Sequence, residues 1–140
     1  MTRVGALDDD RTARVALSRL AEPGLESLRD AVALRGAVET LDRLLRGALT
    51  LTGVTPSRFD VGTLEEDLRN AERLGARVLI STDDQWPRQL SDLPVPPLCL
   101  WVRGPVDLGA VTDRSIALVG ARSATSYGSQ VAADLAAGLC

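Results

Sequence analysis

Histidine is absent from the 140 residues, and so is lysine. Without histidine the chain cannot assemble a Ser-His-Asp or Cys-His relay, nor a histidine-ligated metal site. Without lysine it has no Walker A loop, whose G-K-[ST] ending sets an ammonium on the phosphates. All 16 basic side chains are arginine, so phosphate recognition would fall to guanidinium forks and backbone amides. Cysteine occurs twice, as Cys99 in the apolar run LCLWV and as Cys140. That usage suggests neither a disulfide framework nor a zinc site; it fits a reducing cytoplasm, with Cys99 a core residue. The N-terminus MTRVGALDDD lacks an apolar signal core, and no stretch approaches a membrane span. No metal, cofactor or membrane partner is expected.

Excess positive charge is missing too. The formal net charge is −3 and 45% of residues are hydrophobic, which builds a core but not a basic nucleic-acid coat protein. Residues 1–100 hold 13 arginines and 16 acids, whereas residues 101–140 hold three of each. A nucleic-acid role therefore needs a local positive patch.

Helical periodicity governs the first part. Residues 11–20 place Ala13, Ala16, Leu17 and Leu20 on one face, behind the acids Asp8, Asp9 and Asp10 that suit a helix N-terminus. Glu22-Pro23-Gly24 breaks the pattern. Leu25, Leu28, Ala31, Val32 and Leu34 predict a second helix ending at Gly36. Val38, Leu41, Leu44 and Leu45 predict a third ending at Gly47, with Glu39–Arg43 and Asp42–Arg46 as i,i+4 pairs. Residues 48–61 are less regular, with a turn at Thr55-Pro56-Ser57. Short helices parted by glycines resemble a SAM-like or helix-hairpin-helix bundle over 1–62, read as a scaffold or protein-contact module.

The second part, 63–140, opens with Thr63-Leu64-Glu65-Glu66, which fits a capping box with Thr63 as N-cap. Leu64, Leu68, Ala71 and Leu74 follow as a helix stripe to Gly75, and Arg77–Ile80 as a strand. Asp83 and Asp84 read as a solvated turn. The stretch to Pro97 is proline-rich and irregular. Leu98–Val102 predicts a second strand and Ser115–Val119 a third.

Ser115 to Gly128, SIALVGARSATSYG, organises this part. Ile116 to Val119 suits a parallel strand buried on both faces. Gly120 permits a sharp turn and the close approach of a ligand. Val131, Leu135 and Leu139, with Ala132 and Ala136, predict a helix face packed on the sheet. A strand, a glycine and a helix N-terminus compose an anion site, to which Arg122 adds a full charge. An ordinary turn with a solvated arginine has the same pattern. The dinucleotide fingerprint is excluded, because the residue two after Gly120 is Arg122.

Trp86, Pro87, Leu90, Pro96, Pro97, Leu98 and Gly104, followed by Val119, Gly120, Ala121, Arg122, Thr125, Tyr127 and Gly128, resemble the DNA-processing protein A family over residues 76–140. Ala121 departs from the family's usual serine. The resemblance implies an α/β protein. Its small helical bundle would be followed by the first part of an extended Rossmann-like parallel sheet. It implies a non-enzymatic single-stranded DNA-binding protein of natural transformation and recombination. Such a protein protects incoming strands, helps load the RecA recombinase and acts as a homodimer. The family's glycine-arginine turn contacts DNA phosphates, which carries over to Gly120, Ala121 and Arg122; Ser123 and Thr125 join them on their chemistry. The family continues beyond the first helix of its Rossmann-like part, so a fragment is expected here, with an incompletely covered helix face.

Two other functions share these residues. Gly120 to Gly128 also resembles the opening turn of lysine-decarboxylase-like phosphoribohydrolases, which hold a nucleotide phosphate. The proline-rich stretch 86–105 and the helical N-terminus stand against that reading. The helices over 11–47 alternatively suit a pure protein-interaction module.

Overall fold

The computed structural model describes residue 7 and residues 9–139. The first helix, α1 (Asp10–Leu20), starts where Asp9 caps it. The Asp9 carboxylate accepts the Thr12 amide at 3.0 Å, and this bond holds its carboxyl below the usual value. Asp8 of the expected acidic lead lies outside the described residues. Helices α2 (Glu26–Arg35) and α3 (Ala37–Leu45) complete a bundle. Its core is Ala13, Ala16, Leu17 and Leu20 of α1, Leu28 and Val32 of α2, and Ala37, Leu41 and Leu44 of α3. Alanines at 13, 16 and 37 let the α1 and α3 backbones come close.

Gly36 joins α2 to α3 at φ 84°, a left-handed conformation that a side chain would strain. Thr40 is fully buried one turn later, and its hydroxyl lies 3.0 Å from the Ala31 carbonyl and 2.7 Å from that of Gly36. One buried hydroxyl thus ties α3 to the end of α2. Both predicted i,i+4 pairs form, Arg43 to Glu39 at 2.9 Å and Arg46 to Asp42 at 2.7 Å. Leu34 departs from expectation: it is 74% exposed. At about 100° per residue, six positions beyond Leu28 point well away from the Leu28–Val32 face. Leu45 also lies partly in solvent.

Residues 46–60 wrap back over the bundle. Val54 bridges to Ala21, and the Thr55 amide reaches the Leu20 carbonyl at 2.9 Å. A short 3-10 turn, Pro56–Arg58, precedes α4 (Val61–Arg73). The predicted capping box is displaced by one turn. Asp60 is the N-cap, accepting the Thr63 amide at 2.6 Å and the Thr63 hydroxyl at 2.7 Å. Both residue types cap well, but Asp60 already claims the amide of Thr63, which leaves Thr63 inside the first turn. Leu64 then buries its side chain in the bundle core.

Strands β1 (Ala76–Leu79) and β2 (Leu100–Arg103) pair antiparallel, with Ala76 opposite Arg103 and Leu79 opposite Leu100. The order of helices followed by a small sheet gives a mixed α/β chain. The expected parallel arrangement is not what these strands adopt. Nor does Ser115–Val119 form a strand: it pairs with no described strand, and Val119 is 93% exposed. Without a neighbouring ladder the run has neither hydrogen-bond partners nor a face to cover. The last helices are α5 (Leu108–Thr112) and α6 (Ser126–Leu139). The predicted apolar face of α6 is not packed on the sheet: Leu135 is 51% exposed and no α6 residue is buried.

Side chains of α1 fasten the bundle to the sheet region. Arg11 grips Asp83 with two nitrogens, at 2.5 and 2.8 Å, and donates to the Val78 carbonyl at 2.7 Å. Asp83 is therefore no solvated turn residue. Its carboxyl is held low chiefly by the Arg11 hydrogen bond, and the Arg11 guanidinium is pushed up chiefly by the same bond. It also accepts the Ile80 amide at 2.8 Å, closing the turn that follows β1. Arg19, eight residues along the same helix, pairs with Asp67 of α4.

Candidate nucleic-acid interface

The loop of interest is positioned by a frame around the end of β1. The half-buried Arg77 guanidinium donates to the Gly104 carbonyl, to Gln85 Oε1 at 2.8 Å and to the Val106 carbonyl at 2.6 Å. It has no carboxylate partner among the described residues and works instead as a three-way donor. The turn after β2 is thereby fixed against β1. Asp107 caps α5 by accepting the Ala110 amide at 3.1 Å. Gly109 passes so close to Gln85 that a Cβ would stand 3.3 Å from its carbonyl group. Thr112 ends the short helix, and the Ser115 amide and hydroxyl both turn back to its carbonyl.

From there the chain enters the stretch that carries the predicted site. Gly120, Ala121, Arg122, Ser123 and Thr125 are all exposed. Arg122 and Ser123 have no internal hydrogen-bond or ionic partner among the described residues. The nearby acids face elsewhere: Asp113 accepts Gln89 at 3.2 Å, and Asp134 accepts Gln130 at 2.9 Å. Thr125 has a defined task. Its hydroxyl accepts the Gly128 amide at 3.1 Å and its carbonyl accepts the Ser129 amide at 3.0 Å, so it caps α6. That cap satisfies one of the first amides of the helix, and those before it have no partner within the helix.

Gly120 differs from expectation. Its φ is not in the left-handed region, and a Cβ built on it would meet nothing within 4 Å. The sharp turn that would demand glycine is absent, and the chain's own packing leaves the position open. The structure thus keeps the five residues within one exposed six-residue stretch beside a helix N-terminus, without bonding any of their side chains to one another.

Sequence reasoning passed over several features. Arg77 carries no pattern that distinguishes it from any strand-edge arginine, and its three acceptors lie 8 to 29 residues away. A largely apolar cavity of about 360 Å³ lies between the α1–α2 corner and the proline-rich stretch, lined by Leu17, Leu25, Leu28, Val95, Leu98 and Cys99 among others. Cys99 is half-buried there rather than fully in the core, and burial pushes its thiol up. Trp86 is buried with no partner for its indole N–H among the described residues. Among the described residues no group of three or more His, Cys, Asp or Glu side chains could hold a metal ion. No described helix is long and apolar enough to cross a membrane.

Comparison with known proteins bears on this same stretch. Residues 77–140 match the family model for DNA recombination-mediator protein A. Two curated proteins of Mycobacterium tuberculosis, from strains CDC 1551 / Oshkosh and ATCC 25618 / H37Rv, carry the description DNA processing protein DprA. Each is 39% identical to this chain over 145 aligned positions, covering 93% of this chain. The chain spans 37% of the length of each.

Proposed function

The chain belongs to the DNA-processing protein A family, and from that premise we propose that it binds single-stranded DNA through the loop ahead of α6. Arg122 contacts a phosphate with its guanidinium fork. Gly120 and Ala121 let the strand approach the backbone. Ser123 and the unsatisfied first amides of α6 donate to the same oxygens. Thr125 holds the helix mouth in shape. The observation that carries this reading is the freedom of Arg122, exposed and without an internal partner among the described residues.

The reading extends to the role that the family resemblance implies. Residues 1–62 serve as a SAM-like bundle and residues 63–140 begin a Rossmann-like DNA-processing region. The protein acts without catalysis in natural transformation and recombination, in the cytoplasm. It protects incoming strands, helps load RecA and works as a homodimer.

Fluorescence anisotropy of a labelled oligothymidylate tests the site. Arg122→Ala should weaken binding about tenfold or more, as expected for a lost charge-assisted bond. The loss should be alike for all base compositions. Arg35→Ala, which removes an arginine from the bundle, serves as the control and should change little. Equal affinity of the Arg122→Ala chain and its parent would remove the loop from the site.

A further inference from the structure

Strand β2 places Trp101 and Arg103 on one face, because residues two apart along a strand point the same way. Both are exposed; Trp101 is 45% exposed, whereas the other tryptophan, Trp86, is 4% exposed. Opposite them in register stand Val78 and Ala76, so no large side chain of β1 covers the indole. A groove of about 350 Å³ opens beside the ring. Val15 of α1, Ala71 of α4 and Leu74 just past its end form its apolar walls, and Asn70 and the Arg19–Asp67 pair stand at its rim.

The chemistry of this groove is specific in two ways. Its small alanines leave a slot beside a flat aromatic surface, which suits a planar ring. Its rim is polar, so an aliphatic occupant would strip water from Asn70 and from an ion pair without replacing the hydrogen bonds. A heterocycle with polar edges keeps those groups satisfied. Arg103, two residues along the same face of β2, adds an exposed guanidinium with no internal partner among the described residues. An aromatic face beside a free cation is the arrangement that holds one nucleotide of a single strand: the base stacks and the phosphate pairs.

We infer that the groove takes one unpaired nucleobase, stacked on Trp101 with its flanking phosphate at Arg103. This rests on the single-strand reading above and adds a contact that the Gly120–Thr125 loop does not make. Because every base has a π-face, the contact is tolerant of sequence.

Tryptophan emission and strand anisotropy are read together on the whole chain. With Trp86 buried, quenching by an added strand reports mainly on Trp101. An oligothymidylate should quench the emission, and an abasic strand of equal length should not. Trp101→Ala should weaken oligothymidylate binding about tenfold with its salt dependence intact, and Trp101→Phe should recover most of it. Far-UV circular dichroism of the Trp101→Phe chain should match the parent, so its recovery reports stacking rather than refolding. Arg103→Ala should lower the slope of log affinity against log salt by about 0.7. Suppose the oligothymidylate binds but leaves the emission unchanged, and Trp101→Ala binds like the parent. The inference then fails while the loop reading stands. If the parent chain binds no strand at all, both fail.

Discussion

The three-helix bundle and the stretch from Ser115 to Leu139 contain similar residues and treat them in opposite ways. In the bundle, Leu17, Leu41 and Leu44 are almost wholly buried, and the buried Thr40 hydroxyl has two carbonyl partners. In the later stretch, Ile116, Leu118, Val119, Leu135 and Leu139 are all exposed. Helix α6 forms nonetheless, held by its Thr125 cap and its alanines. Apolar sequence is therefore a demand for cover, and the two regions differ in whether the described chain meets it. The loop proposed to touch DNA sits in the region that is not covered, where backbone and side chains stay accessible.

Substitutions that act through burial should separate the two regions most strongly. Leu41→Ala should lower the unfolding free energy by about 2–5 kcal/mol in urea, through lost burial and the cavity left behind. Leu135→Ala should change it by less than about 0.5 kcal/mol. Similar losses at both positions would show that α6 packs as tightly as the bundle. A smaller effect of the same kind is expected for Thr40→Val, about 1–2 kcal/mol, because the Ala31 and Gly36 carbonyls lose a donor in a dry site.

The bundle was also the more legible region. Leucines and alanines at helical spacing, with acids ahead of α1 and glycines after α2 and α3, mark these helices within a residue or two. Gly36, Gly47 and Gly75 all adopt the positive φ that ends a helix. The cap of α4 is ambiguous in sequence because Asp60 and Thr63 are both good caps, and only the folded backbone decides which amide each one holds. Four-residue apolar strands carry no mark of direction, so the antiparallel pairing of β1 with β2 was not readable. Neither was the Arg11–Asp83 clasp, whose partners lie 72 residues apart. Gly120 to Thr125 could be picked out from its residue types and its family resemblance. Its exposure, with no covering strand, could not.

Caps and clasps provide the finer tests. Asp60→Ala should cost about 1 kcal/mol, and Thr63→Ala clearly less, if Asp60 is the cap. The reverse order would restore the box that starts at Thr63. The Arg11–Asp83 clasp should add a small pH dependence. Asp83 has a lowered carboxyl pKa in the folded chain, so its stabilisation is complete above the unfolded value of about 3.9 and fades as pH falls through the folded value. Arg11 is 40% exposed, which limits the effect to about 1 kcal/mol or less. Urea melts between neutral pH and pH 3 should show a shallower decline for Asp83→Asn than for the parent chain. Parallel curves would mean that the clasp contributes nothing.

The salt dependence of strand binding tests the phosphate contact most directly. Affinities of the parent and of Arg122→Ala for one oligothymidylate, measured over a range of salt concentrations, should give log–log slopes that differ by about 0.7, the signature of one phosphate neutralised on a single strand. Identical slopes, with both chains still binding, would contradict a phosphate contact at Arg122.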